Sequence, residues 1–254
     1  VERAAALLRA VAAREGTGAR LVDLVGDLRL AKATVRRLLG ALEREGLVDQ
    51  DAASRRYHLG AGLIGLGSLA GARFGVRRLA LPSLSRLVEE SGDTVYLSVR
   101  SGLDAVCVER REGDFPIRTL TLSVGDRRPL GIGAGSLALL ASLADADADA
   151  AIEANAGRAE RHCPGLDPAR LRELVRRTRE AGIAFNDGLV VPGMSALGIA
   201  VLNPRGEPEA ALSVAAISTR MGPERRPALE EMLRRERRAL EREIARQEAS
   251  ASRR

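Results

Sequence analysis

Near the start of the chain, apolar positions recur at helical spacing in three short runs. Ala5, Leu8, Val11 and Ala12 mark a helix over residues 2–13, stopped by the Gly16–Gly18 break. Leu21, Leu24, Val25 and Leu28 mark a second over 20–28, and Val35, Leu38, Leu39 and Leu42 a third over 32–44. Such 3–4 spacing puts one apolar stripe on each helix. Gly46 follows as a helix stop. Leu47–Asp51 and Arg56–Leu59 then read as two short strands joined by Ala52-Ala53-Ser54. Three helices and a hairpin in sixty residues give the element order of a winged helix-turn-helix. Residues 59–76 are apolar yet hold six glycines. Each interior glycine costs a helix about 1 kcal/mol against alanine. A helix here needs outside support, such as close packing on a partner helix. We assign residues 1–60 to the first domain, 61–78 to a linker helix and 79–254 to a second domain.

The second domain alternates the two periods. Residues 79–90 are helical, Val95–Val99 and Ala105–Glu109 form a hairpin, and Ile117–Val124 is strand-like. Ala134–Leu143 reads as a helix, DADADA (145–150) as a polar join, and Leu166–Ala181 as a charged helix with Pro168 in its first turn. Ile183–Asn186, Ala196–Asn203 and Ala210–Ala216 read as strands, and a last helix runs from about Pro223 to Gln247. Hairpin-joined strands flanked by helices predict an antiparallel α+β sensor domain.

Composition narrows the function. The net charge of +6 suits a polyanionic partner, although Lys32 is the only lysine and arginine enrichment can follow genome composition. Aromatics are 2%, too few for base-stacking platforms, which disfavours single-strand or RNA binding. Two unpaired cysteines predict a reducing, cytoplasmic setting without disulfides. No apolar run reaches the ~18 residues of a membrane span, so no membrane partner is expected.

The third helix carries Lys32, Ala33, Thr34, Arg36 and Arg37 at its N-terminal half, away from its apolar stripe. In helix-turn-helix proteins this part of the second motif helix reaches base edges in the major groove. Arginine pairs bidentately with guanine, small residues such as Ala33 allow close approach, and Lys32 and Thr34 suit phosphates. Arg55 and Arg56 at the hairpin tip are placed for a neighbouring phosphate or a minor groove. The partner expected is double-stranded operator DNA. The plainer reading is a solvated basic face.

Over nearly its whole length the chain resembles the IclR family of bacterial transcription regulators. The resemblance rests on VERAAALLRAV, LVDLVGDLRLAKATVRRLLGALEREGLV and RRYHLG in the first part. In the second it rests on PLGIGAGSLALLASL and AGIAFNDGLVVPGMSALGIAVLNPRGEPEAALSVAA. Departures from the family's usual residues are Arg29 where glycine is common, Ala31 for proline and Gly131 for histidine. The resemblance implies a GAF-like antiparallel-sheet effector-binding domain, a helix-mediated homodimer that in some relatives pairs into a dimer of dimers, and no enzyme. It also implies a pocket at Leu120, Gly133, Ala134, Gly135, Asn186, Asp187, Met194, Ala196, Ser213 and Ala215. Free amides at a helix N-terminus favour a carboxylate there, so a small organic acid is the expected effector. Glycines before a helix and Asn-Asp-Gly also simply make turns.

Three rivals remain. An enzyme needs a base beside a nucleophile, and neither His58 nor His162 has one at a recognisable spacing. A redox or zinc sensor built on Cys107, Cys163 and His162 lacks a paired-cysteine motif. A DNA-binding scaffold with a degenerate pocket predicts binding indifferent to metabolites. Neither a metal nor a cofactor is expected.

Overall fold

The computed structural model describes residues 1–14, 16–73, 75–117 and 121–251. Two compact units emerge, Val1–Gly75 and Val76–Arg254.

In the first unit, helices α1 (Glu2–Ala12), α2 (Leu21–Leu28) and α3 (Lys32–Arg44) precede a hairpin of β1 (Val48–Gln50) and β2 (Tyr57–Leu59). The stripes of the three helices meet the hairpin in one core of Leu7, Val11, Leu24, Val35, Leu39, Val48 and Tyr57. Tyr57 also pairs its backbone with Ala19, which pins the hairpin against the loop after α1. Arg29, at the end of α2, is left-handed with φ 50°. Helix α4 (Gly62–Arg73) closes the unit, and Ile64, Leu66 and Leu69 on it are largely exposed.

In the second unit, α5 (Val76–Ser91) begins inside the stretch assigned to the linker. It leads to β3 (Thr94–Ser101), β4 (Asp104–Arg111) and β5 (Arg127–Pro129). Then follow α6 (Ala134–Ala141), α7 (Asp145–His162), α8 (Pro168–Ala181), β6 (Ala184–Asp187), β7 (Met194–Leu202), β8 (Pro208–Ile217) and α9 (Arg226–Ala251). The strands form one antiparallel sheet in the order β5-β4-β3-β8-β7-β6. The expected α+β class is the one found.

The two faces of this sheet differ in side-chain size. Val95, Leu97, Leu197, Ile199, Val201, Leu212 and Val214 pack with α5 and α9. The alternate positions Ser98, Ala196, Gly198, Ala200, Ala211, Ser213 and Ala215 carry small side chains, and period-2 alternation puts them on the other face. Helix α6 lies close on that face, with all eight of its residues buried. A Cβ at Gly198 would stand 2.4 Å from the Ala134 carbonyl, so only glycine fits there. Helix α8 is capped by Asp167, whose carboxylate accepts from the Arg170 amide at 2.7 Å. On the opposite side, Arg86 clamps the buried Glu236 at 2.7 Å and so ties α5 to α9.

Two sequence expectations are corrected. The DADADA stretch is no join; it is the first turns of α7, whose Ala148, Ala151, Ile152, Asn155 and Ala159 form the buried stripe. In the strand expected over Ile117–Val124, the described residues, Ile117 and 121–124, lie in bends, turns and irregular backbone. Its residues 118–120 lie outside the described residues. The strand of this region is β5, a few residues later.

Candidate functional site: a DNA-reading helix and an apolar pocket

In the first unit the apolar stripe of α3 faces inward, so the intervening positions face out. Lys32, Ala33, Arg36 and Arg37 are exposed and Thr34 is half-buried. None of the three cations has an ion pair among the described residues. No side chain caps the N-terminus of α3, which leaves its positive end open to an acceptor. The wing tip is held by Asp51, which accepts from the Ser54 amide at 2.7 Å. Arg55 is exposed there, left-handed with φ 58°. Arg56 behaves otherwise. Its guanidinium donates to the carbonyls of Thr17 and Gly18, both at 3.0 Å. Arg56 therefore braces the wing on the loop between α1 and α2, and does not reach out as the sequence suggested.

In the second unit the small-residue face of the sheet and the start of α6 leave a cavity. The volume within it open to the centre of a water molecule is about 60 Å³. Gly133, Ala134, Gly135, Asn186, Met194, Ala196, Ser213 and Ala215 all line it. Leu120 lies outside the described residues. Asp187 does not line it; its exposed carboxylate accepts from the Ser195 hydroxyl at 2.8 Å. Alternation along β6 explains this, because Asn186 turns inward and its neighbour must turn out. Asn186 is also partly engaged, its side-chain oxygen accepting from the Leu189 amide at 3.0 Å.

Sequence reasoning missed Arg128, the one cation on the cavity wall among the described residues. Its neighbour Arg127 faces solvent and pairs with Asp104 at 3.0 Å, while Arg128 turns in. There it donates to the Thr121 carbonyl at 2.5 Å and has no carboxylate partner among the described residues. A Cβ on Gly133 would lie 3.5 Å from its Nη1 atom, so the guanidinium sits beside the N-terminus of α6. Burial pushes Arg128 below the ordinary guanidinium value, yet arginine stays charged. The signal was present, since a strand at 127–129 would have turned one of the two arginines inward. The rest of the wall includes Tyr96, Ser98, Cys107, Ile132, Val190 and Val191.

Burial pushes the Cys107 thiol up to about 12 and raises Cys163 as well. Reactive cysteines need the thiolate, so neither thiol is poised for redox chemistry. Among the described residues no three His, Cys, Asp or Glu side chains gather as a metal site. None of their helices is long and apolar enough to cross a membrane.

A winged helix-turn-helix followed by a sheet unit with an apolar, cation-bearing cavity defines a class: DNA-binding proteins with a ligand-binding regulatory unit. Residues 70–242 match the family described as "Bacterial transcriptional regulator IclR C-terminal", and residues 1–52 match the "IclR helix-turn-helix domain". The chain belongs to the IclR family of DNA-binding transcriptional regulators, as the sequence motifs indicated. It is 28% identical over 214 residues to the HTH-type transcriptional regulator KipR of Bacillus subtilis (strain 168), covering 84% of this chain and 85% of that one. It is 29% identical over 227 residues to the HTH-type transcriptional repressor AllR of Salmonella typhi, covering 89% and 82%. The fold matches the crystal structure of an IclR homolog from Microbacterium hydrocarbonoxydans complexed with 4-hydroxybenzoate. That match has a TM-score of 0.73 at 20% identity and covers 95% of this chain and 98% of that one. The relatives are named as regulators and repressors, and the family is not one of enzymes.

The different work of the two wing arginines is measurable. Arg56→Ala should lower the stability of the Val1–Gly75 unit by about 1–2 kcal/mol, since hydrogen bonds from a charged donor are worth about 1.5–3 kcal/mol and these are partly exposed. Arg55→Ala should stay within about 0.5 kcal/mol of wild type. Hydrogen exchange of α1 and β2 amides reads the difference, and equal protection in both variants would remove the bracing role.

Proposed function

We propose that this protein regulates transcription by binding a near-palindromic operator as a homodimer, with operator affinity set by a small organic acid held in the second unit. The observation that carries the acid is Arg128. A cation withdrawn from water costs free energy unless it is paired, and among the described residues Arg128 hydrogen-bonds a carbonyl and forms no ion pair. A ligand carboxylate would pair with it and with the open amides at the start of α6. The remaining wall is mostly apolar, with Ile132, Val190, Val191 and Met194. The acid is therefore a monocarboxylate with an apolar body, its polar substituents within reach of Ser98 or Ser213. That an IclR homolog was crystallised with 4-hydroxybenzoate is in keeping with this chemistry.

Lys32, Ala33, Thr34, Arg36 and Arg37 would enter the major groove, with Arg55 on the backbone beside it. Two copies would place their α3 helices about one DNA turn (~34 Å) or a multiple apart. The occupant of α4's apolar surface is a second copy of the chain. A helix that is apolar on all sides is not stable facing water, and the glycines at 65 and 67 leave open space beside it. The acid shifts operator binding only through its different affinity for two arrangements of the protein. Coupling of ~1–3 kcal/mol would change operator affinity about 5- to 150-fold.

Four outcomes are expected. Arg36→Ala should relax preference at particular base positions, costing about 1–3 kcal/mol; an equal loss on every sequence would make Arg36 a phosphate contact instead. In a thermal-shift panel of aromatic and branched monocarboxylates, at least one should raise Tm and alter binding to the protein's own upstream DNA. Arg128→Met should weaken that acid by about 10- to 150-fold, as loss of a charge-assisted hydrogen bond worth about 1.5–3 kcal/mol requires, without lowering the Tm of the free protein. A panel with no response leaves a DNA-binding scaffold with a degenerate pocket. Gly67→Leu should weaken self-association in sedimentation, and an unchanged dimer constant would contradict close packing of α4 on its mate.

A further inference from the structure

Arg29 ends α2 and opens the three-residue turn into α3 with φ 50° and ψ 39°. In that left-handed region a Cβ crowds the following carbonyl, a penalty that glycine escapes. Among the described residues positive φ falls on twelve glycines and on two other residues, Arg29 and Arg55. Both exceptions are arginines, and both belong to the DNA-binding unit. Elsewhere the chain meets the same demand with glycine, as at Gly182, which ends α8 with φ 66°. A general surplus of arginine therefore does not account for the pair. A left-handed helix cap needs no side chain, so a residue held there against strain is held for its side chain.

The surroundings of Arg29 specify the use. It is exposed and has no hydrogen bond or ion pair from its guanidinium among the described residues. The two acids of α2 are already committed, Asp23 to Arg20 at 3.0 Å and Asp27 to Arg14 at 2.5 Å. Arg29 stands three residues ahead of Lys32, the first residue of the uncapped, cationic end of α3. An unpaired cation on the turn into the reading helix is suited to a polyanion outside the protein. From a turn it meets the sugar-phosphate backbone, whose contacts set position and not sequence.

We propose that Arg29 is a DNA-phosphate contact, kept in a strained backbone so that α3 is registered on the duplex from the turn ahead of it. The contact is sequence-independent and releases one condensed counterion. It rests on DNA binding by this unit and adds a residue outside the helix and the wing.

The test uses the full-length protein and a mixed-sequence duplex of about 30 base pairs, read by fluorescence anisotropy from about 50 to 200 mM salt. Arg29→Gly should bind more weakly at low salt, with the log–log salt slope shallower by about 0.9, the increment for one phosphate. Its Tm should equal or exceed that of wild type, because glycine relieves the strain. Arg29→Lys should keep the wild-type slope. An unchanged slope in Arg29→Gly overturns the proposal, and so does a loss in Arg29→Lys as large as in Arg29→Gly, since that would make the effect conformational. Wild-type protein with no salt-dependent binding would overturn the DNA-binding unit as a whole, an outcome distinct from either.

Discussion

The close seating of α6 on the sheet is the contact on which the regulatory unit depends. It is made possible by alternation of side-chain size along β7 and β8. Branched residues fill one face against α5 and α9, each worth about 1.5–3 kcal/mol when fully buried. Alanine, serine and glycine on the other face let a helix approach until Gly198 touches the Ala134 backbone. The same small residues that admit the helix leave the cavity at its N-terminal end. Pocket and packing are two results of one pattern, and the helix end that faces the cavity carries its open amides with it.

The DNA-binding unit works by a similar division. Its core takes one stripe from each helix, so what remains on α3 is cationic because the apolar positions have been used. Electrostatic commitments then sort the arginines. Arg14 and Arg20 neutralise the acids of α2, Arg56 fastens the wing, and Lys32, Arg36 and Arg37 are left without an ion pair among the described residues. Three of the uncommitted cations thus lie on the exposed N-terminal half of α3. In the pocket Arg128 follows the same logic in reverse: its neighbour Arg127 takes the carboxylate of Asp104, and Arg128 is left without an ion pair among the described residues, which is why we propose it as the acid's partner.

Much of this was legible in the residues. The stripes Leu21–Leu28 and Val35–Leu42 have clean periodicity, and α2, α3 and the wing fall close to where that periodicity places them. Eight of the ten pocket positions that the family resemblance implied line the cavity. What escaped has physical causes. Helix α7 starts with alternating Asp and Ala, a period-2 pattern that hides a buried stripe made mostly of alanine. Arg128 was hidden because the strand was expected over residues 117–124, and alternation applied to the wrong segment cannot say which arginine turns inward. Asp187 was placed in the pocket beside Asn186 by the resemblance, whereas adjacent strand positions face opposite ways. Arg56 could not be told from Arg55, since its two carbonyl acceptors lie 39 and 38 residues away in the chain.

The claim that binds both units is that acid and operator bias one equilibrium. Linkage makes this reciprocal. The direct measurement is a closed cycle by titration calorimetry: affinity of an active monocarboxylate for the free protein and for the protein saturated with operator DNA, beside operator affinity with and without the acid. The expected result is the same factor, about 5- to 150-fold, on both arms, and its disappearance in Arg128→Met. Acid that binds with equal affinity whether or not DNA is present would contradict the account, leaving a pocket and a DNA reader with no connection between them.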